Sequence, residues 1–129
     1  MALNVGDQIP EQKVTPDKYL PHRYAGASGD FNPIHIDDEL AKAVGLPRNI
    51  LHGLYSMGLV AKANAAAADG DPRALKRLSV QMRGMGVPEQ EIVVTGTVKS
   101  ADGNRVVIDT VAQQGDTTLI KNAEAELEL

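Results

Sequence analysis

Residues 49 to 70 read NILHGLYSMGLVAKANAAAADG, and no other weakly polar stretch of the chain is as long. Asn49 stands where a side-chain cap could start a helix, and Asp69-Gly70 stands where one would stop. The apolar residues fall on nearly every side, so no broad polar face is left to meet water, and such a helix must be wrapped by other elements. Lys62, Asn64, His52 and two glycines interrupt the run between Ile50 and Ala68, where many residues are alanine. The stretch therefore suits a buried helix and not a membrane span.

The C-terminal half of the chain supplies the wrapping. From Leu75 the period changes to two and holds through LKRLSVQMRGM (75–85), EIVVTGTVKS (91–100), RVVIDTVAQQ (105–114) and TTLIKNAEAELEL (117–129). In the last run Glu124, Glu126 and Glu128 share one face, while Ala123, Ala125, Leu127 and Leu129 share the other. Pro88, Asp102-Gly103 and Gly115-Asp116 punctuate the runs and suit hairpins or short connections in an antiparallel sheet. The expected fold is α+β, a single domain over residues 1–129, with a curled antiparallel sheet wrapped around one long central helix.

Ahead of the long helix, TPDKYLPHRYAGAS (15–28) could form a helix with Thr15 as cap and Pro16 at its first position, although Pro21 should bend or shorten it. DDELAKAV (37–44) reads as a short helix with an acidic first turn and Gly45 beyond its end. At 129 residues and 13.7 kDa, with no visible repeat or low-complexity linker, nothing marks a second domain. Without cysteine there is no disulfide scaffold, thiolate metal site or thiol nucleophile. The start, MALNVGDQIPEQ, has neither a basic cluster nor an apolar run, so no secretory signal is expected and a cytoplasmic address is the default. A net charge of -4 argues against a nucleic-acid partner held by counterion release, and three Tyr, one Phe and no Trp leave little to stack on bases.

Between the two shorter helical stretches lies SGDFNPIH (28–35), where Asp30 and His35 are five positions apart with a proline between them. Neither helix nor strand geometry would set them side by side. Asn32 precedes Pro33 and is biased away from helix, while Gly29 allows a tight backbone path before Asp30. A bent loop can bring carboxylate and imidazole to opposite sides of one bound water, within about 3 Å of it, as acid–base chemistry requires. On spacing alone the plainer alternative stands beside this: Asp30 and Asn32 as turn residues, His35 as partner of a nearby carbonyl.

The run YAGASGDFNPIHIDDELAKAVGLPRNILHG (24–53) resembles the hydratase-2 signature of the MaoC-like dehydratases, the (R)-specific enoyl-CoA hydratases and 3-hydroxyacyl-thioester dehydratases. Ser28-Gly29-Asp30, Asn32-Pro33, His35 and His52-Gly53 match together, over about thirty residues. The resemblance implies the hot-dog fold, in agreement with the order of elements. It implies that Asp30 and His35 hold the catalytic water and shuttle protons in syn addition across a 2-enoyl thioester. Gly53 would offer its backbone N–H to the thioester carbonyl, where negative charge develops and a helix N-terminus favours an anion. No metal or redox cofactor is implied, and coenzyme A or the pantetheine of a carrier protein enters as part of the acyl thioester substrate.

Asn32 would orient the loop or the water, or serve structure alone; Ser28 reads as a turn hydroxyl or a substrate contact; His52 reads as support for the loop. The family usually has methionine after the His-Gly pair, where this chain has Leu54 and then Tyr55, which leaves acyl-chain specificity open and makes Tyr55 a candidate substrate contact. Arg73, Lys76, Arg77 and Arg83 form a basic cluster, with Arg77 and Arg83 the candidates for meeting coenzyme A phosphates or an acidic carrier protein; a solvated face is the alternative. Met57, Met82 and Met85 suit the core or an acyl-binding surface.

Other constellations fail. His22, His35 and His52 show no HxxxH or HExxH spacing, and DFNPIHIDDELA puts Ile34 and His35 where a calcium loop needs a ligand and a glycine. Neither a GxSxG elbow nor a glycine-rich phosphate loop is present. Three functions remain: a hydratase/dehydratase, a subunit of a heteromeric hot-dog dehydratase, and a hot-dog thioesterase. Because a small curled sheet leaves exposed edges and hot-dog proteins pair side by side, a homodimer or higher oligomer is expected, with a heteromer as the other possibility and no membrane partner.

Overall fold

Period-two runs make a sheet only if their backbone N–H and C=O groups find partners, and here they do so in one continuous ladder. In the computed structural model, which describes residues 3–129, the strands are β1 (Gln12–Val14), β2 (Leu75–Met82), β3 (Ile92–Asp102), β4 (Arg105–Gln114) and β5 (Thr117–Glu128). Their order across the sheet is β1-β3-β4-β5-β2, every neighbouring pair antiparallel. The helices are α1 (Leu20–Ser28), α2 (Pro33–Ile36), α3 (Asp38–Ala43) and α4 (Gly53–Ala66), and a 3-10 turn at Pro72–Ala74 leads into β2.

The alternation read from the sequence decides which face α4 covers. Ile92, Val94 and Val98 of β3, Val106, Ile108 and Ala112 of β4, and Ile120, Ala123 and Leu127 of β5 are buried together with Val60, Ala63 and Ala67. Full burial of each large aliphatic side chain is worth about 1.5–3 kcal/mol, so this face holds most of the apolar driving force. One polar tie crosses it: Asn64 Nδ2 of α4 donates to Thr110 Oγ1 of β4 at 3.0 Å. The curled antiparallel sheet around a long helix is thus present, and it is the hot-dog arrangement.

Element boundaries differ from expectation where local chemistry overrides pattern. The first helix starts at Leu20 and not near Thr15, because the Asp17 carboxylate accepts from the Tyr19 N–H (2.8 Å) and holds the chain in a turn. Pro21 lies in the first turn, where a missing N–H costs nothing, so it starts the helix and does not bend it. The long helix starts at Gly53 and not at Asn49: the residues before it bond to other segments, Ile50 N–H to Ile34 O (3.0 Å) and Leu51 N–H to Gly86 O (2.8 Å), and His52 is extended. The β2 run stops at Met82, three residues short of the alternating pattern.

The two sheet edges are treated differently. The segment before β1 continues along β3, with Gly6 N–H to Val98 O and Val98 N–H to Asp7 O, both 2.9 Å, and Ile9 N–H to Gly96 O at 3.0 Å. The far side of β2 has no strand partner among the described residues, and β2 itself pairs with β5 through two register shifts.

This packing has two measurable consequences. Ile108→Ala, at a fully buried site facing α4, should lower the folding free energy by about 2–5 kcal/mol in urea unfolding, and a loss under about 1 kcal/mol would show that the helix does not seal this face. The second concerns Asp38, whose Oδ1 accepts from Asn49 N–H at 3.1 Å. Its hydrogen bond to Lys42, seconded by that from Asn49, holds its carboxyl below the ordinary 3.8. A depressed native value contributes stability that is full above 3.8 and disappears as pH falls through the lowered native value. The stability difference between the parent and Asp38→Asn should therefore shrink in urea titrations as pH is taken below 3.8; a pH-independent difference would refute it.

Candidate active site

The segment after α1 is built from three overlapping side-chain turns. Gly29 ends α1 in the left-handed region (φ 81°), its N–H donating to Ala25 O at 2.8 Å. The Asp30 N–H then donates to Ser28 Oγ (3.1 Å), the Asn32 N–H to Asp30 Oδ1 (3.2 Å) and the Ile34 N–H to Asn32 Oδ1 (3.2 Å). With Asn32 as cap and Pro33 in the first turn, residues Pro33–Ile36 close into α2, a single helical turn. The segment is thus not all loop: α2 swings His35 back toward Asp30.

His35 is buried, and its Nδ1 lies 2.9 Å from the Ile50 carbonyl. A carbonyl only accepts, so Nδ1 carries the proton of the neutral ring and Nε2 keeps a lone pair. That Nε2 lies 3.7 Å from Asp30 Oδ2, whose side chain is half exposed. The gap is too long for a direct hydrogen bond, yet an oxygen placed between them can lie within reach of both. Acid and base thus face one point, with one group buried and the other open to solvent.

Two residues from the strip before α4 fix this pair. The Asn49 side chain, buried, donates from Nδ2 to the His35 carbonyl at 2.9 Å. His52 is only 2% exposed; its Nε2 lies 3.0 Å from the Asp30 carbonyl, and its ring stacks on that of His35 at 3.9 Å and 21°. Tyr24 of α1 leans on His52 from another side (4.6 Å), and Tyr55 of α4 meets Tyr24 edge-on (6.0 Å). Burial pushes the Tyr55 phenol up from its ordinary range, so it stays protonated at neutral pH.

Gly53 is the first residue of α4, where N–H groups have no acceptor within the helix. A Cβ there would lie 2.8 Å from Met82 Sδ, so glycine lets the end of β2 close against the start of α4. Leu54, Met82 and Phe31 stand exposed around this end of the helix and the loop.

Asp30 and His35 therefore come together, Gly53 follows directly on His52, which touches both, Ser28 and Asn32 are engaged as turn acceptors, and Tyr55 meets Tyr24 beside His52. The basic candidates do not join them as a group. Arg77 is the register partner of Glu126, so it lies on the sheet face turned away from α4, beside the acidic stripe, where Glu124 is lowered first by its hydrogen bond to Lys99 and then, more weakly, by the charge of Arg77. Arg83 follows Met82, and its guanidinium donates to Gln81 Oε1 at 2.9 Å. Asn49 was legible only as a helix cap, and no local signal in the sequence marks its bond to the His35 carbonyl.

Asp30, His35 and His52 also offer potential ligand atoms within 4.8 Å of one another. Sequence spacing does not reveal this trio. A metal lies in the plane of each ligating imidazole, about 2.0–2.1 Å from nitrogen. Rings stacked 3.9 Å apart and tilted by only 21° do not converge on such a point, so the rings as placed do not form a tetrahedral site.

Comparison with known proteins agrees with this fold. The peroxisomal enoyl-CoA hydratase 2 of Arabidopsis thaliana is 34% identical over 111 residues, which is 85% of this chain and 34% of that protein, so the chain spans about a third of its relative's length. A solved MaoC-like dehydratase superposes with a TM-score of 0.92 at 31% identity, over 98% of this chain and 41% of that one. The ChsH1–ChsH2 complex of Mycobacterium tuberculosis shares the fold, with a TM-score of 0.87 at 22% identity over 98% of both chains. The family model of the MaoC-like domain matches residues 5–122, and the chain belongs to that family.

Proposed function

We propose that this chain is a hydro-lyase that reversibly hydrates trans-2-enoyl thioesters to (R)-3-hydroxyacyl thioesters. The observation that carries this reading is the pair Asp30 Oδ2 and His35 Nε2, 3.7 Å apart and facing one point, both touched by His52, the residue directly before α4. A water held between them gives a proton to the pair as its oxygen bonds to C3. The electron pair of C2=C3 moves through C2 to the thioester carbonyl, whose oxygen gathers negative charge. Gly53 N–H and the helix end stabilise that oxygen, an effect worth about 2.7–4 kcal/mol for a single well-placed donor. The pair then returns a proton to C2 on the same face, so one water is added and nothing is oxidised.

In this reading no metal or redox cofactor takes part, and coenzyme A or carrier-protein pantetheine belongs to the substrate. Both catalytic groups are present, so in a heteromer this chain would be the catalytic half. A cytoplasmic location remains part of the proposal.

The decisive assay monitors loss of the conjugated thioester absorbance with a short trans-2-enoyl-CoA. Asp30→Asn and His35→Gln should each cut kcat by about 10²–10⁴-fold with the fold intact by circular dichroism. The product should be the (R) alcohol. Activity retained in either variant, an (S) product, or release of free thiol would overturn the assignment.

We also propose a homodimer formed along the open edge of β2, whose unpaired N–H and C=O groups call for a partner. Native mass spectrometry should give twice the 13.7 kDa of the chain, and a proline placed at the outer edge of β2 should return it to a monomer. A monomeric parent would refute this.

A further inference from the structure

We propose that His52 is a positioning residue that ties the acid and the base of the site into one rigid block, an inference that rests on the hydratase reading. The Asp30 side chain sits on a loop whose own hydrogen bonds are all local, to Ser28 and Asn32. Among the described residues, the one hydrogen bond that carries Asp30 to a distant part of the chain is its carbonyl to His52 Nε2, at 3.0 Å across twenty-two positions. His35, in turn, is held from the same strip, by the Ile50 carbonyl two residues before His52. The two halves of the catalytic pair are thus anchored within three consecutive residues.

The chemistry of the His52 ring supports this. The Asp30 carbonyl only accepts, so His52 carries its proton on Nε2, and Nδ1 is left as a bare acceptor. That Nδ1 is buried with no hydrogen-bond partner in a residue 2% exposed. Burying an unmatched acceptor is unfavourable, and a purely space-filling ring would avoid it. What an imidazole adds over phenylalanine at this place is the Nε2 donor. Its face lies against His35 at 3.9 Å and 21°, a contact that any ring of similar outline would keep.

Two substitutions separate donor from ring. His52→Phe keeps the stacking face and loses the donor; His52→Gln keeps a donor at similar reach and loses the ring. With a short trans-2-enoyl-CoA, H52F should lower kcat by about 10–100-fold, the scale expected when a catalytic group drifts by an ångström. KM should stay within about twofold, since ground-state binding is untouched. H52Q should restore most of kcat. Equal losses in the two folded variants, or a change in KM alone, would overturn the inference.

A second measurement does not depend on turnover. Ring ¹⁵N shifts of the unaltered protein in alkaline buffer should show His52 as the Nε2–H tautomer and His35 as the Nδ1–H tautomer. A His52 ring protonated on Nδ1 would overturn the inference even if the enzyme is active, and it decides the matter if H52F fails to fold. A parent inactive on enoyl thioesters with the expected tautomers would instead overturn the hydratase reading and leave the His52–Asp30 tether standing.

Discussion

Everything at the site hangs on four residues, Asn49 to His52, held between the Asp30–His35 segment and the connection from β2 to β3. Ile50 N–H bonds to Ile34 O on one side and Leu51 N–H to Gly86 O on the other. That strip then presents three groups to the loop: the Ile50 carbonyl to His35 Nδ1, the Asn49 amide to the His35 carbonyl, and the His52 ring to the Asp30 carbonyl. Had the helix begun at Asn49, the Ile50 carbonyl would have accepted from the helix's own first turn and been lost to His35. Delaying α4 until Gly53 frees the strip to act as a scaffold for Asp30 and His35.

The division of labour between core and site comes from burial. Val60, Ala63 and Ala67 seal α4 onto the sheet, so the helix cannot shift without exposing Ile92, Ile108, Ile120 and Leu127. A catalytic loop with mostly local hydrogen bonds gains its precision by attachment to that rigid base. His35 is buried while the Asp30 side chain is half exposed, which leaves one side of the pair open for a substrate to approach. Asp38 extends the same support outward: it takes the Asn49 N–H while sitting in the first turn of α3, so the short helix also helps set the strip.

The alternation of Glu124, Glu126 and Glu128 against Ala123, Ala125 and Leu127 was readable because strand period is a local property, and the family signature from Tyr24 to Gly53 marked the loop. The turn residues Gly29 and Asn32-Pro33 announced their conformations for the same reason. What pattern could not carry were choices made by tertiary partners. Asn49 is as good a cap as any asparagine until Asp38 and the His35 carbonyl claim it. His52 looks like the last residue before a helix, and only the folded chain shows its ring against His35. Arg77 and Arg83 are six apart in sequence, but Arg77 faces Glu126 across the ladder while Arg83 lies beyond the strand end. Clustering in sequence was a poor guide there because the strand that holds Arg77 ends at Met82, one residue before Arg83.

Gly53 shows how packing and chemistry meet in one residue. Its missing side chain lets the Met82 thioether close within 2.8 Å of where a Cβ would stand, so the last residue of β2 rests on the first residue of α4. Any larger residue would have to push Met82 aside and would screen the N–H from an incoming carbonyl. Met82 is also half exposed, as are Leu54 and Phe31 to greater degrees, so the approach to that N–H is apolar. An apolar surround weakens the competition of water for the helix terminus. The open edge of β2 ends beside this same place, and a second copy paired along it would bring further protein surface close to Met82. Sheet extension and shielding of the site are therefore two consequences of the same strand.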